Sequence, residues 1–230
     1  MTFRYEDVAR SIDHALLKPE LAERELEAGC KLALYYGVAS VCVLPYFVPR
    51  AAAILRGTSV LSSTTIGFPH GGHATAVKVA EAERALDDGA DELDVVVNVS
   101  KVVSGDFAYV RAEIGALVAA VRARKKKIKV IFENAYLNEE EKVALCAICG
   151  EMGADWAKTS TGFAKTGATV EDVRLMRARC APSVQIKASG GIHDLDALLG
   201  FCALGATRIG TSRTRDILEE CRRRLAKAAV

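Results

Sequence analysis

Two stretches of this chain hold residues that could do covalent chemistry. In Asp155-Trp156-Ala157-Lys158-Thr159-Ser160-Thr161-Gly162-Phe163 a lysine stands where a short apolar run should be ending, and hydroxyls and a glycine follow at once. Val184-Gln185-Ile186-Lys187-Ala188-Ser189-Gly190-Gly191-Ile192 repeats the design one unit later. Lysine is almost never fully buried unless it has a partner or a task. With an ordinary pKa of ~10.4, its amine is protonated at pH 7 and is no nucleophile. Apolar surroundings and an adjacent cation both push that pKa down, by up to several units. An amine brought near neutrality can attack a carbonyl and form a Schiff base. The iminium then withdraws electrons, and a carbon–carbon bond can break or form without a metal.

Such lysines need strands to present them. Apolar, β-rich runs occur at Ile12–Leu17, Val38–Leu44, Ser62–Phe68, Glu92–Val99, Ile128–Asn134, Asp155–Ser160, Val184–Ala188 and Thr207–Thr211. Segments of helical period lie between them, such as Glu20–Tyr36, Ala74–Asp88, Tyr109–Ala123, Glu139–Met152, Val170–Arg179 and Leu195–Leu204, after an extra helix at the N-terminus. Strict alternation gives parallel strands with right-handed crossovers. Eight repeats in 230 residues predict an α/β chain folded as one (β/α)₈ TIM barrel over residues 1–230. An open doubly wound sheet is the alternative, but the first turn carries no dinucleotide fingerprint.

Reactive groups of such a barrel gather at the C-terminal ends of its strands. Period-two alternation sorts inward from outward side chains there. It points Asp94, Val96 and Asn98 inward on strand four, Trp156, Lys158 and Ser160 on strand six, and Gln185 and Lys187 on strand seven. The same parity places Asp13, Cys42 and Glu133 inside. Neighbouring strands lie ~4.8 Å apart, so Lys158 and Lys187 should be close neighbours. Parity does not say which of the two attacks. Asp94 could move protons during imine formation or serve as the structural partner of either lysine.

The loops add a phosphate signal. Gly190-Gly191 follows strand seven and Gly210-Thr211-Ser212 follows strand eight, the two loops where many barrels bind phosphate through backbone N–H groups. Arg213 and His193 add charge or a donor beside them. Net charge is +2, from 31 basic and 29 acidic residues, which argues against a nucleic-acid partner recruited by bulk charge. The Arg122–Lys127 run reads as a solvated helix end. No stretch approaches the ~20 apolar residues of a membrane span. Seven scattered cysteines fit reduced thiols in the cytoplasm, and Cys146-Ala-Ile-Cys149 reads as packed small side chains on a helix. His70-Gly-Gly-His73 supplies only two of the three or four ligands zinc needs, so no metal is expected.

Several motifs, in order along nearly the whole chain, resemble deoxyribose-phosphate aldolase. They are Ile12-Asp13-His14, Leu16-Leu17-Lys18-Pro19, Thr65-Ile66-Gly67-Phe68-Pro69, Gly89-Ala-Asp-Glu-Leu-Asp94, Lys158-Thr-Ser-Thr-Gly-Phe163 and Lys187-Ala-Ser-Gly-Gly-Ile192. The resemblance implies reversible cleavage of 2-deoxy-D-ribose 5-phosphate to D-glyceraldehyde 3-phosphate and acetaldehyde, in deoxyribonucleotide catabolism, with no cofactor. It implies Lys158 as the Schiff-base lysine, Lys187 as the cation that depresses its pKa, and Asp94 in proton relay. It also assigns Thr161, Gly162, Gly190, Gly191, Gly210 and Ser212 to the substrate and phosphate pocket, and implies a homo-oligomer, dimer or tetramer. Four features depart from the pattern. Ala15 replaces a threonine, His193 an arginine, and Asn134-Ala135 a small hydroxyl residue, while Arg213 stands where serine or glycine is usual; one of the two, Arg213 or His193, could offset the other as the phosphate cation. The last residues also lack the terminal tyrosine of some members.

Three other readings stay open on the sequence. One is a Schiff-base aldolase with a longer donor, and another a sugar-phosphate isomerase, which needs no lysine pair. The third, from a different class, is a barrel that binds a sugar phosphate without turning it over.

Overall fold

Short β-branched runs that each precede an amphipathic helix cannot satisfy their backbone alone; they pair side by side, and eight of them close on themselves. The computed structural model describes residues 3–228. Its strands are β1 (Ile12–Leu16), β2 (Ser40–Val43), β3 (Leu61–Ile66), β4 (Glu92–Val96), β5 (Lys127–Ile131), β6 (Trp156–Lys158), β7 (Gln185–Ser189) and β8 (Ala206–Thr211). All are parallel in chain order, and β8 closes on β1. Closure leaves no sheet edge exposed.

Among the described residues ten helices accompany them: α1 (Tyr5–Ser11), α2 (Glu23–Tyr36), α3 (Val48–Leu55), α4 (Thr75–Asp87), α5 (Val99–Val103), α6 (Phe107–Ala123), α7 (Glu139–Met152), α8 (Val170–Arg179), α9 (Leu195–Ala203) and α10 (Thr214–Ala228). The extra N-terminal helix is α1, which packs on α10 and β8. Helix α7 shows how local chemistry sets these boundaries. Asn138 accepts from the Glu141 N–H while the Glu141 carboxylate accepts from the Asn138 N–H, and Gly153 ends the helix at φ +75°. An αL ending costs glycine no steric penalty. The tail read as lacking a terminal tyrosine, Arg222–Val230, lies outside the described residues at positions 229–230.

Outward residues of the strands, among them Leu93, Val95, Ile128, Val130, Ala157 and Ile186, join Leu117, Val121, Leu145 and Met176 of the helices in one buried apolar layer. Fully burying each large aliphatic side chain contributes ~1.5–3 kcal/mol. This layer lets the opposite, inward face of the same strands be polar.

Two expectations fail where parity is carried past the end of a strand. β5 stops at Ile131, and Glu133 takes φ +57° and spends its carboxylate on Thr161 of the loop after β6, with no contact to the axial lysines. β4 stops at Val96, and Asn98 caps α5 by accepting from the Lys101 N–H. The basic run at the end of α6 is solvated as expected, with Arg122, Arg124, Lys125 and Lys127 exposed, while Lys126 pairs with Asp91 at 2.5 Å and Lys127 with Asp155 at 2.6 Å.

Candidate active site

The register sets Lys158 directly beside Lys187 on β6 and β7, and Asp94 beside Lys129 on β4 and β5. All four side chains are buried. One oxygen of Asp94, Oδ2, accepts from Lys158 Nζ at 2.6 Å and from Lys187 Nζ at 2.7 Å. Its other oxygen accepts from Lys129 Nζ at 2.9 Å. Asp13 of β1 pairs with Lys187 at 2.5 Å and receives Ser40 Oγ at 2.7 Å. Below this layer Glu92 accepts from Lys129 at 2.6 Å and Arg208 at 2.7 Å, and both cations face the ring of Trp156.

Four cations, Lys129, Lys158, Lys187 and Arg208, therefore share three carboxylates, Asp13, Glu92 and Asp94. Fully ionised, the cluster carries one uncompensated positive charge in a dry interior, which is costly. The pairing shows which proton is held least. Lys129 reaches three carboxylates and Lys187 two, whereas Lys158 reaches only Asp94. Burial pushes Lys158 below the ordinary lysine value; Asp94 opposes this, and the neighbouring Lys187 pushes further down. Burial also acts on Lys187, but Asp13 and Asp94 outweigh it and hold that amine above the ordinary value. Lys129 is raised in the same way by Asp13, Asp94 and Glu92 against its burial. Burial raises Asp94, yet Lys129, Lys158 and Lys187 overcome it and hold the carboxyl well below its usual range.

A cavity of about 570 Å³ opens over this cluster at the C-terminal ends of the strands. Lys158, Lys187, Asp13 and Cys42 form part of its floor; Lys129 lies beneath and does not reach it. Thr161, Gly162, Gly190, Gly191, His193, Gly210, Ser212 and Arg213 all line the same cavity, so every candidate phosphate contact named from the sequence borders one space. Gly162, Gly190 and Gly191 have φ of +89°, +87° and +76°, a backbone that residues with a Cβ rarely adopt. Helix α10 begins here at Thr214, whose hydroxyl lies 2.8 Å from His14 Nδ1. Burial pushes the His14 imidazole down to about 4, so it is neutral at pH 7. Arg213 is exposed, and its Nε pairs with Asp216 at 2.8 Å. Thr161 donates its hydroxyl to Glu133 and accepts from the Phe163 N–H.

Sequence reasoning passes over Lys129, Glu92 and Arg208, and also Lys18 and Phe163, which line the cavity mouth. Parity holds the signal for the first two: Lys129 shares the parity of Ile131, and Glu92 that of Asp94.

Comparison with known proteins accounts for this arrangement. A model of the DeoC/LacD family of aldolases matches residues 8–220. The chain belongs to that family. A deoxyribose-phosphate aldolase of Rhodopirellula baltica is 54% identical over 228 residues, 99% of this chain and 95% of its own length. One from Thermococcus gammatolerans is 45% identical over 218 residues, 94% of this chain and 97% of its own. Among solved structures, the tetrameric deoxyribose phosphate aldolase of Aeropyrum pernix superimposes with a TM-score of 0.89 at 30% identity, covering 95% of this chain and 92% of that one. Membership fits a barrel whose inward lysines face a cavity lined by glycine loops. Among the described residues no helix is long and apolar enough to cross a membrane.

Proposed function

We propose that the chain catalyses reversible cleavage of 2-deoxy-D-ribose 5-phosphate to acetaldehyde and D-glyceraldehyde 3-phosphate, with Lys158 as the Schiff-base nucleophile. The observation that carries this reading is the asymmetry of the pairing: of the two amines on the cavity floor, Lys158 alone rests on a single, shared carboxylate oxygen. Its neutral amine attacks the aldehyde carbon of the open-chain sugar, and loss of water from the carbinolamine leaves the iminium. Removing the proton of the C3 hydroxyl breaks the C2–C3 bond; its electrons flow into the iminium to give an enamine, and glyceraldehyde 3-phosphate departs. Protonation of the enamine at C2 and hydrolysis of the imine release acetaldehyde and return the free amine. The electron sink is the protein's own iminium, so the scheme calls for no metal or organic cofactor.

Asp94 touches both amines through one oxygen and can pass a proton between the substrate side and the lysines, directly or through water. Held low by three cations, it is a poor base by itself, and its part is that of a relay. Lys187 stays charged and keeps Lys158 from binding a proton. The phosphate end fits the glycine loops of the same cavity, where the backbone N–H groups of Gly162, Gly190 and Gly191, the Ser212 hydroxyl and the start of α10 supply donors and a favourable dipole. Seven unpaired cysteines support a cytoplasmic setting, and the tetrameric relative supports a homo-oligomer.

The test is borohydride reduction in the presence of acetaldehyde, followed by peptide mass analysis. A two-carbon adduct on Lys158 is expected, with none when dihydroxyacetone phosphate or pyruvate replaces acetaldehyde. An adduct on Lys187, or none at all, contradicts the assignment.

A further inference from the structure

Loop 161–163 lines the cavity directly after the lysine strand, and its backbone has to stay in an uncommon conformation. Gly162 sits at φ +89°, and nothing lies within 4 Å of where a Cβ would stand to hold it there. What fixes the turn comes from the neighbouring strand's end. The Glu133 carboxylate accepts from the Thr161 N–H at 3.2 Å and from the Thr161 hydroxyl, which itself accepts from the Phe163 N–H at 3.0 Å. One side chain thus pins the first residue of the turn twice and the third through it.

Glu133 is an unfavourable choice for a purely structural bond. It is 3% exposed, and among the described residues no cation pairs with it. A buried carboxylate without a cation must be stabilised wholly by hydrogen bonds. Its φ of +57° is strained for a residue with a side chain, and such strain persists where surrounding structure over-determines it. Here the flanking bonds, Phe132 N–H to Lys158 O at 2.9 Å and Asn134 N–H to Thr159 O at 3.0 Å, hold the backbone on either side. These two bonds also support Lys158 and make no use of the carboxylate.

The far end of the same loop is strapped to the glycine loop after β7. Ala168 N–H donates to Ser189 O at 3.0 Å and Gly190 O at 3.1 Å, and a Cβ on Gly167 would lie 2.1 Å from Gly190 O. With that end fixed, removing the carboxylate frees only the segment around Gly162.

We infer that Glu133 is a positioning residue that presets loop 161–163 for the phosphate end of the substrate and leaves the reacting amine untouched. This rests on the reading of the cavity as an aldolase site. Glu133→Gly removes the anchor while relieving the strained φ, so a folded variant is expected; Glu133→Gln keeps an acceptor in place. In Glu133→Gly, KM for 2-deoxyribose 5-phosphate should rise about tenfold, the loss of roughly one hydrogen bond to a charged group. Both kcat for that substrate and kcat/KM for unphosphorylated 2-deoxyribose should stay within about threefold, as expected when the lost contact binds ground state and transition state alike and only through the phosphate. Glu133→Gln should recover most of the affinity. Calorimetric titration with glycerol 3-phosphate reads the same loss without turnover, as a Kd raised about tenfold. An unchanged Kd in folded Glu133→Gly overturns the inference, as does an equal loss on both sugars. Failure of the wild-type chain to form the acetaldehyde adduct would instead strike the aldolase reading, and the titration would still decide the role of Glu133.

Discussion

Replacing Lys187 by methionine tests the electrostatic argument where it is most exposed. The two amines sit 2.6 and 2.7 Å from the same Asp94 oxygen, which puts about 5 Å as the upper limit on their separation. Two unit charges at ~5 Å with an effective dielectric constant of ~20 repel by about 3 kcal/mol, or about two pK units. The variant removes that repulsion. It also leaves three cations for three carboxylates, so a proton on Lys158 becomes the balanced state. Both effects raise the Lys158 pKa. Cleavage at pH 7 should fall about a hundredfold, since each pK unit of added protonation costs a factor of ten in free amine. The diagnostic is the pH profile of kcat/KM, measured with a coupled dehydrogenase assay from about pH 6 to 10. Its rising limb should move alkaline by about two units, and the variant should recover as the pH is raised. A profile lowered in height and unshifted in pH would refute the account of Lys187 as a charge that depresses its neighbour.

Three more outcomes follow from the same contacts. Lys129→Met strips a partner from Asp13, Glu92 and Asp94 and should cost about 3–5 kcal/mol in a urea titration, the usual penalty for breaking a buried pair. His14 binds its proton more weakly folded than unfolded, so it contributes stability above the unfolded value of 6.5 that is lost as pH falls toward about 4. That window is worth about 3 kcal/mol, and His14→Gln should flatten this part of the stability curve by as much. Arg213→Ala should raise KM for the phosphorylated sugar severalfold and spare the unphosphorylated one; an unchanged preference assigns the guanidinium to Asp216 alone.

The site is legible in the sequence where side-chain alternation and strand ends coincide. Asp13, Asp94, Lys158 and Lys187 all lie on strands, and alternation places each on the axis because a strand's side-chain period is fixed at two. Glu133 and Asn98 each lie two residues beyond a strand, where that period no longer holds, and there parity misleads. Lys129 escapes for another reason. A filter on C-terminal strand ends passes over the layer beneath, although the charge balance of the visible layer depends on it. The reach of Arg208 to Asp13 and to Glu92 across the barrel is a product of closure and has no local signal. Helix α3 is equally silent, because its eight residues carry Pro49 in the first turn and offer barely two turns of periodicity.

The central claim is that one particular amine in the barrel is the easiest of three to deprotonate. Nitrogen NMR of the chain carrying labelled lysine, with Lys158→Met, Lys187→Met and Lys129→Met to assign the signals, measures that directly. The account predicts that Lys158 titrates below the ordinary lysine value of 10.5 while Lys187 and Lys129 remain protonated past it. A Lys158 that keeps its proton as long as its two neighbours would contradict it.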